Sequence, residues 1–158
     1  MDKQNFGILV IKHEQKLYRI AKSILKNDED CADAAQEAVA KGFANLPKLK
    51  NDKYALTWLI RILINECYRI VRESAKTTAW NPDIALTPSN DDPIYSELYE
   101  TLFHLPRELK IVLVLHYLEG YSIKEISDIL QLPSGTIKSR MSRGRKMLKE
   151  LLKEENAL

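Results

Sequence analysis

Apolar residues recur at three- and four-residue steps through the first 75 positions: Phe6, Val10, Leu17, Ile20, Ile24 and Leu25 mark a first helix. Asn27 and Asp28 interrupt it, and Asp28 or Asp30 is placed to cap the next segment. The Ala-rich run from Cys31 to Leu46 predicts a second helix, stopped by Pro47. A basic loop, Lys48-Leu49-Lys50-Asn51-Asp52-Lys53, leads into a third helix from Tyr54 to about Glu73. Leu59, Ile62, Leu63, Ile70 and Val71 give that helix its apolar side, and Arg61, Asn65, Tyr68 and Arg72 form a polar stripe facing outward.

The pattern fails between Ala75 and Pro93, where Pro82, Pro88 and Pro93 punctuate Thr, Asn, Ser and Asp, the composition of a linker. Helical periodicity returns from Ile94 to Phe103, breaks at Pro106, and runs from Glu108 to Glu119 before Gly120. Ser122-Ile123-Lys124-Glu125 has the form of a capping box, with Tyr121 and Ile126 as its hydrophobic staple. A short helix over 123–130 is followed by Gln131-Leu132-Pro133, and Ser134 is placed to cap a last helix running to about Leu152. Helix, tight turn and basic helix make a helix-turn-helix. The expected fold is all-α: two small helical domains over 1–75 and 94–158, joined by a flexible linker over 76–93, the second domain a helix-turn-helix.

Charge sharpens this division. The net +2 of the 158-residue chain hides local values of +3 over 1–75, −2 over 76–92, −3 over 93–133 and +4 over 134–158. Residues 134–149 alone carry six basic side chains and no acid, a field suited to a polyanion. With Ile137 on the core side, a helical wheel brings Met141, Leu148, Leu151 and Leu152 to the same side. Ser139, Ser142, Arg143 and Lys146 then point outward to read bases, and Lys138, Arg140, Arg145 and Lys149 flank them at the level of the phosphates.

Other chemistry is poorly supplied. His13, His104 and His116 stand singly, and Cys31 and Cys67 lie far apart without a C-x-x-C pair. Neither a metal site, a cofactor nor a disulfide framework is expected. No nucleophile motif appears, so an enzyme with a small-molecule substrate is not expected. No apolar run approaches a membrane span, and Lys3, Lys12, Glu14 and Lys16 occupy the place of a signal-peptide core, which predicts a cytoplasmic protein.

The segment from Leu132 to Arg145, LPSGTIKSRMSRGR, resembles the fourth-region recognition helix of bacterial sigma factors. Asp33-Ala34-Ala35-Gln36-Glu37 resembles the D-x-x-Q-E core of sigma region two, and Thr57-Trp58-Leu59-Ile60-Arg61-Ile62-Leu63-Ile64-Asn65 its T-W-L-x-R-I-x-x-N helix. Both ends resemble one family in the right order, and a chain with room for these two regions alone is similar to the extracytoplasmic-function class. That resemblance implies a sigma factor that binds core RNA polymerase and directs promoter-specific initiation. It implies a polymerase-docking face at Asp33, Gln36 and Glu37. Contacts to the −10 element as single-stranded DNA are implied for Lys48, Lys50, Asn51, Asp52, Lys53, Arg61 and Asn65. Contacts to the −35 element are implied for Lys138, Ser139, Arg140, Ser142, Arg143, Arg145 and Lys146. A membrane-anchored anti-sigma factor is the further partner it implies. Trp58, with Leu59 and Ile62 beside it, reads as core in preference to a DNA-stacking ring. Ala35, Ala40 and Ala55 stand where relatives often carry larger apolar residues, and Ala32 where an acid is common. The rival readings are a stand-alone helix-turn-helix regulator, which would bind intact duplex DNA without polymerase, and a protein-binding adaptor. The motif over 57–65 opposes the first, and the uncompensated basic run opposes the second.

Overall fold

A computed structural model describes residues 1–77 and 100–156. The chain divides into two compact units, Met1–Pro88 and Ser89–Leu158. Every regular element among the described residues is helical.

In the first unit, α1 (Lys3–Lys12) and α2 (Glu14–Ile24) take the place of the single helix expected from the periodicity. His13 separates them with φ −110° and ψ 17°, outside helical geometry. α3 spans Asp28–Ala44 and is capped by Asn27, whose side chain accepts from the Asp30 N–H at 2.7 Å; neither Asp28 nor Asp30 is the cap. The helix ends before Leu46, which enters a 3₁₀ turn with Pro47 and Lys48. A second 3₁₀ turn, Asp52–Tyr54, leads into α4 (Ala55–Thr77), which continues one turn beyond the expected Glu73. Lys76 and Thr77 therefore end a helix; the rest of the expected linker, and most of the helix expected over 94–103, lie outside the described residues.

α2, α3 and α4 pack on one another around Leu17, Ile20, Leu59, Ile60, Leu63 and Ile64. The inner side of α4 is thus centred on Ile60 and Ile64 as well as Leu59 and Leu63, while Ile62, Ile70 and Val71 are only half-buried. α1 closes the unit through Phe6, whose ring meets Phe43 edge-on at 4.8 Å and Trp58 at 6.0 Å. Gly42 makes room for that ring: a Cβ there would lie 2.6 Å from Phe6 Cζ. Cys31 and Cys67 are free and buried. Burial pushes the Cys31 thiol up to about 12 and the Cys67 thiol higher still, which leaves both poorly nucleophilic.

In the second unit, residues 100–103 are helical and Pro106 precedes α5 (Arg107–Leu113). The helix expected to run to Glu119 changes character at Val114, where a π turn spans Val114–Leu118. The Glu119 N–H donates to the Val114 carbonyl, and Gly120, at φ +77°, takes the left-handed turn expected of a glycine there. α6 (Ile123–Leu130) opens on the complete capping box: the Ser122 hydroxyl accepts from the Glu125 N–H and the Glu125 carboxylate from the Ser122 N–H, both at 3.1 Å. Tyr121 and Ile126 are both buried beside it.

Gln131, left-handed at φ 56°, ends α6. α7 follows over Ser134–Asn156, with the Ile137 N–H donating to the Pro133 carbonyl; Ser134 is its first residue, not its cap, and the helix passes Leu152. Ile137 and Met141 are buried, and Leu148 and Leu151 pack on the cluster of Leu102, Leu105, Leu113 and Val114. Leu152 is the exception to the wheel: at 43% exposure it sits outside the core, at the edge of the apolar side. Gly144 belongs to the core face instead, where a Cβ would come within 3.1 Å of Leu113 Cδ1.

Candidate nucleic-acid interface

The capped α6 and its tight turn fix the start of α7. Ser127 donates its hydroxyl to the Leu132 carbonyl, and the Leu132 N–H donates to the Ser127 carbonyl at 3.1 Å, so the turn is held from both sides. With Ile137, Met141 and Gly144 turned inward, Ser139, Ser142, Arg143 and Lys146 are exposed together on the opposite side. Lys138 and Arg145 are exposed on one flank, and Arg140 is half-buried on the other. Arg140, Arg143 and Lys146 also border a cleft with Pro106, Glu108 and Glu150, so acids moderate the field on that flank. On the opposite flank the Arg145 guanidinium donates to the Tyr117 hydroxyl at 3.3 Å.

In the first unit, Asp33, Gln36 and Glu37 are exposed on one side of α3, opposite the buried Ala34 and Ala38. This is a compact patch of two carboxylates and an amide at i, i+3 and i+4 spacing. The neighbouring small residues divide: Ala32 and Ala40 are exposed, Ala35 is half-buried, and Ala55 is buried at the start of α4.

The basic loop is more ordered than its sequence suggests. Lys48, Lys50, Asn51, Asp52 and Lys53 are all exposed, yet Asn51 caps the second 3₁₀ turn by accepting from the Lys53 N–H at 3.0 Å. Asp52 faces the Met1 amino group at 2.8 Å. Along α4, Asn65 is exposed and Arg61 half-buried on the side away from the core, so the stripe starts at the loop and continues up the helix. Tyr54, which the charge pattern of the loop does not single out, is 51% exposed where loop meets helix, with the Lys53 ammonium 5.9 Å from its ring centre. An aromatic adjoining a basic loop was the available signal, and such a pairing suits a stacked base. Trp58 packs on Phe6, in keeping with a core role.

One ion cluster joins α3 and α4. Glu66, buried on the inner side of α4, accepts from Lys41 of α3 and from Arg69 Nε at 2.8 Å, and Arg69 continues to Glu73 at 3.0 Å. Burial pushes the Glu66 carboxyl upward, but the hydrogen bonds from Lys41 and Arg69 outweigh it and hold it below the ordinary carboxylate range.

The model of sigma-70 region 2 matches residues 9–77, and that of sigma-70 region 4 matches residues 95–148. The RNA polymerase sigma-H factor of Pseudomonas aeruginosa is 30% identical over 175 residues, spanning 97% of this chain and 91% of the relative. The chain belongs to the sigma-70 family. The ECF RNA polymerase sigma factor SigW of Bacillus subtilis is 28% identical over 171 residues, covering 97% of this chain and 91% of its own length, which places the extracytoplasmic-function class among its relatives. The fold agrees with that of the sigma factor RpoE solved with the anti-sigma factor NepR from Bartonella quintana. Its TM-score is 0.81 at 24% identity, over 95% of this chain and 98% of the other. CnrH, solved with the cytosolic domain of CnrY, gives a TM-score of 0.77 at 24% identity, covering 97% and 90%. This sigma factor therefore carries region 2 on α2, α3 and α4, and region 4 on α5, α6 and α7.

Proposed function

We propose that this sigma factor works as a non-catalytic initiation subunit whose two units share the promoter, and that its docking and DNA contacts fall on the residues assembled above. The carrying observation is the α7 surface: an exposed basic side set opposite Ile137 and Met141, its start held by the Ser127–Leu132 turn that follows the capped α6. A helix so fixed presents base-reading and phosphate-holding side chains to a major groove, here of the −35 element. Asp33, Gln36 and Glu37 supply an anionic face for a basic surface of core polymerase. Lys48, Lys50, Lys53, Arg61 and Asn65 hold the displaced −10 strand, with Asn51 and Asp52 shaping the loop that carries the lysines. Captured bases offset an unstacking cost of a few kcal/mol per step without nucleotide hydrolysis.

The functional division is taken as 1–75 for polymerase and the −10 element, 76–93 as tether and 94–158 for the −35 element. No helix among the described residues is long and apolar enough to cross a membrane. We place the chain in the cytoplasm, where it meets polymerase and DNA. Both structural neighbours were solved as complexes, one with an anti-sigma factor and one with a cytosolic domain. An anti-sigma partner, anchored at the membrane, is the corresponding regulator here. Run-off transcription from a promoter library with purified core polymerase tests the assignment: specific starts are expected only when this chain is added. Tight sequence-specific binding by the free chain, with no transcripts on adding core polymerase, would overturn it in favour of a stand-alone regulator.

A further inference from the structure

The π turn at the end of α5 puts a tyrosine where a regular helix would not. Leu113 is buried, and in an uninterrupted α-helix Tyr117, four residues on, would lie on the same inner side. The extra residue in the Val114–Leu118 turn rotates the chain, and Tyr117 emerges 57% exposed. Its ring is held edge-on to His116 at 4.8 Å, and His116 Nδ1 is 2.8 Å from the Tyr121 carbonyl just before the α6 cap. The ring is thereby tied to the turn that starts the helix-turn-helix. From there its hydroxyl meets Arg145 of α7 across 28 positions of sequence.

In that contact the guanidinium is the donor and the phenol oxygen the acceptor, so the phenolic hydrogen remains to be donated elsewhere. Arg145 retains further N–H donors, and Lys149, one turn along α7, is also exposed and borders the same groove as Tyr117 and Arg145. A neutral O–H, a planar guanidinium and an ammonium converging at the flank of a DNA-reading helix match the oxygens of a backbone phosphate. We propose that Tyr117 and Arg145 form a joint phosphate clamp at the corner between the π turn and α7, with Tyr117 both orienting the guanidinium and donating to the phosphate. The clamp rests on the assignment of α7 to duplex DNA and extends it to a residue outside the helix-turn-helix.

The test measures initial binding of the reconstituted holoenzyme to a promoter recovered from a randomised library by the wild-type holoenzyme, across a range of salt concentrations. Tyr117→Phe keeps the ring and removes only the hydroxyl; it is expected to weaken binding about three- to tenfold, equally for −35 variants of the promoter. Arg145→Ala is expected to weaken binding further and to lower the salt slope by about 0.9, one phosphate contact. The double variant is expected to lose less than the product of the two single losses, since part of the hydroxyl's effect runs through that guanidinium and part through its own bond to the phosphate. Wild-type binding by Tyr117→Phe, or losses that multiply independently in the double variant, would overturn the clamp while leaving the sigma-factor assignment intact. Failure of the wild-type holoenzyme to recover any promoter would overturn the assignment and the clamp together.

Discussion

Arg143 and Arg145 stand two residues apart on α7 and are both exposed, but they face different environments. Arg143 lies on the outer side with Ser139 and Lys146, whereas Arg145 is on the flank against Tyr117. A contact to a base edge carries sequence information, and a contact to phosphate does not. Arg143→Ala is therefore expected to cost about 1 to 3 kcal/mol on the cognate −35 element and to relax preference at one or two positions. Holoenzyme binding to promoters singly substituted through that element reads this out; uniform loss at every sequence would reduce Arg143 to a phosphate contact. In the first unit, Arg61 and Asn65 lie one turn apart on the side of α4 away from the core. Alanine at either is expected to slow promoter opening more than initial binding, and a pre-melted template is expected to restore most of the loss, because the proposed contact is to displaced strand. Lack of rescue with intact polymerase binding would remove them from the melting machinery. The outward placement of these side chains was legible in the sequence because helical spacing alone decides it. The exposure of Tyr117 was not, because its register depends on a π turn that no spacing rule announces.

Elements show the same division between what local sequence encodes and what packing decides. The α6 start was readable because Ser122 and Glu125 satisfy each other's backbone N–H within four residues, and Ser122→Ala is expected to cost about 1 kcal/mol in denaturant unfolding. The break between α1 and α2 carries no such local signal: His13 falls inside an unbroken apolar rhythm. Glycines divide by their surroundings in the same way. At Gly42 a Cβ would be 2.6 Å from the buried Phe6 ring, so Gly42→Ala is expected to destabilise the first unit by about 1 to 3 kcal/mol despite alanine's better helix propensity. At Gly135 nothing lies within 4 Å, so the same change there is expected to be neutral or stabilising by up to about 1 kcal/mol. Equal effects at the two sites would contradict the packing described for Phe6. Glu66 adds a pH dependence to the joint between α3 and α4. Its carboxyl is held below its unfolded value, so its contribution is present above the ordinary carboxylate range and is lost as pH falls through that range and below. Glu66→Gln is expected to flatten that part of the stability profile; an unchanged acid limb would show that Lys41 and Arg69 do not depend on its charge.

For the whole molecule, the distribution of charge decides how it must work. A net +2 over 158 residues is too small to bind DNA strongly without help, and the concentrated basic charge over 134–149 is confined to one helix. The first unit presents its anionic patch on α3, and its cations on the loop and the outer side of α4, so anionic and cationic groups occupy separate surfaces. Each unit alone offers only a small set of cations to phosphate, and so small a set supports only weak binding near physiological salt. Holding both units on one partner makes the second DNA contact intramolecular, with an effective concentration set by the intervening chain. The free chain is therefore expected to bind promoter duplex weakly and with little sequence preference near physiological salt, and to gain affinity and specificity together when core polymerase is added. Charge reversal on α3, Asp33→Lys with Glu37→Lys, is expected to abolish that gain while leaving the free chain's weak duplex binding unchanged or slightly stronger. Electrophoretic and anisotropy titrations with and without core polymerase distinguish the cases. A double variant that still gains specificity with polymerase would move the docking surface off α3, and one that loses binding even as the free chain would mean that the substitutions had damaged the fold.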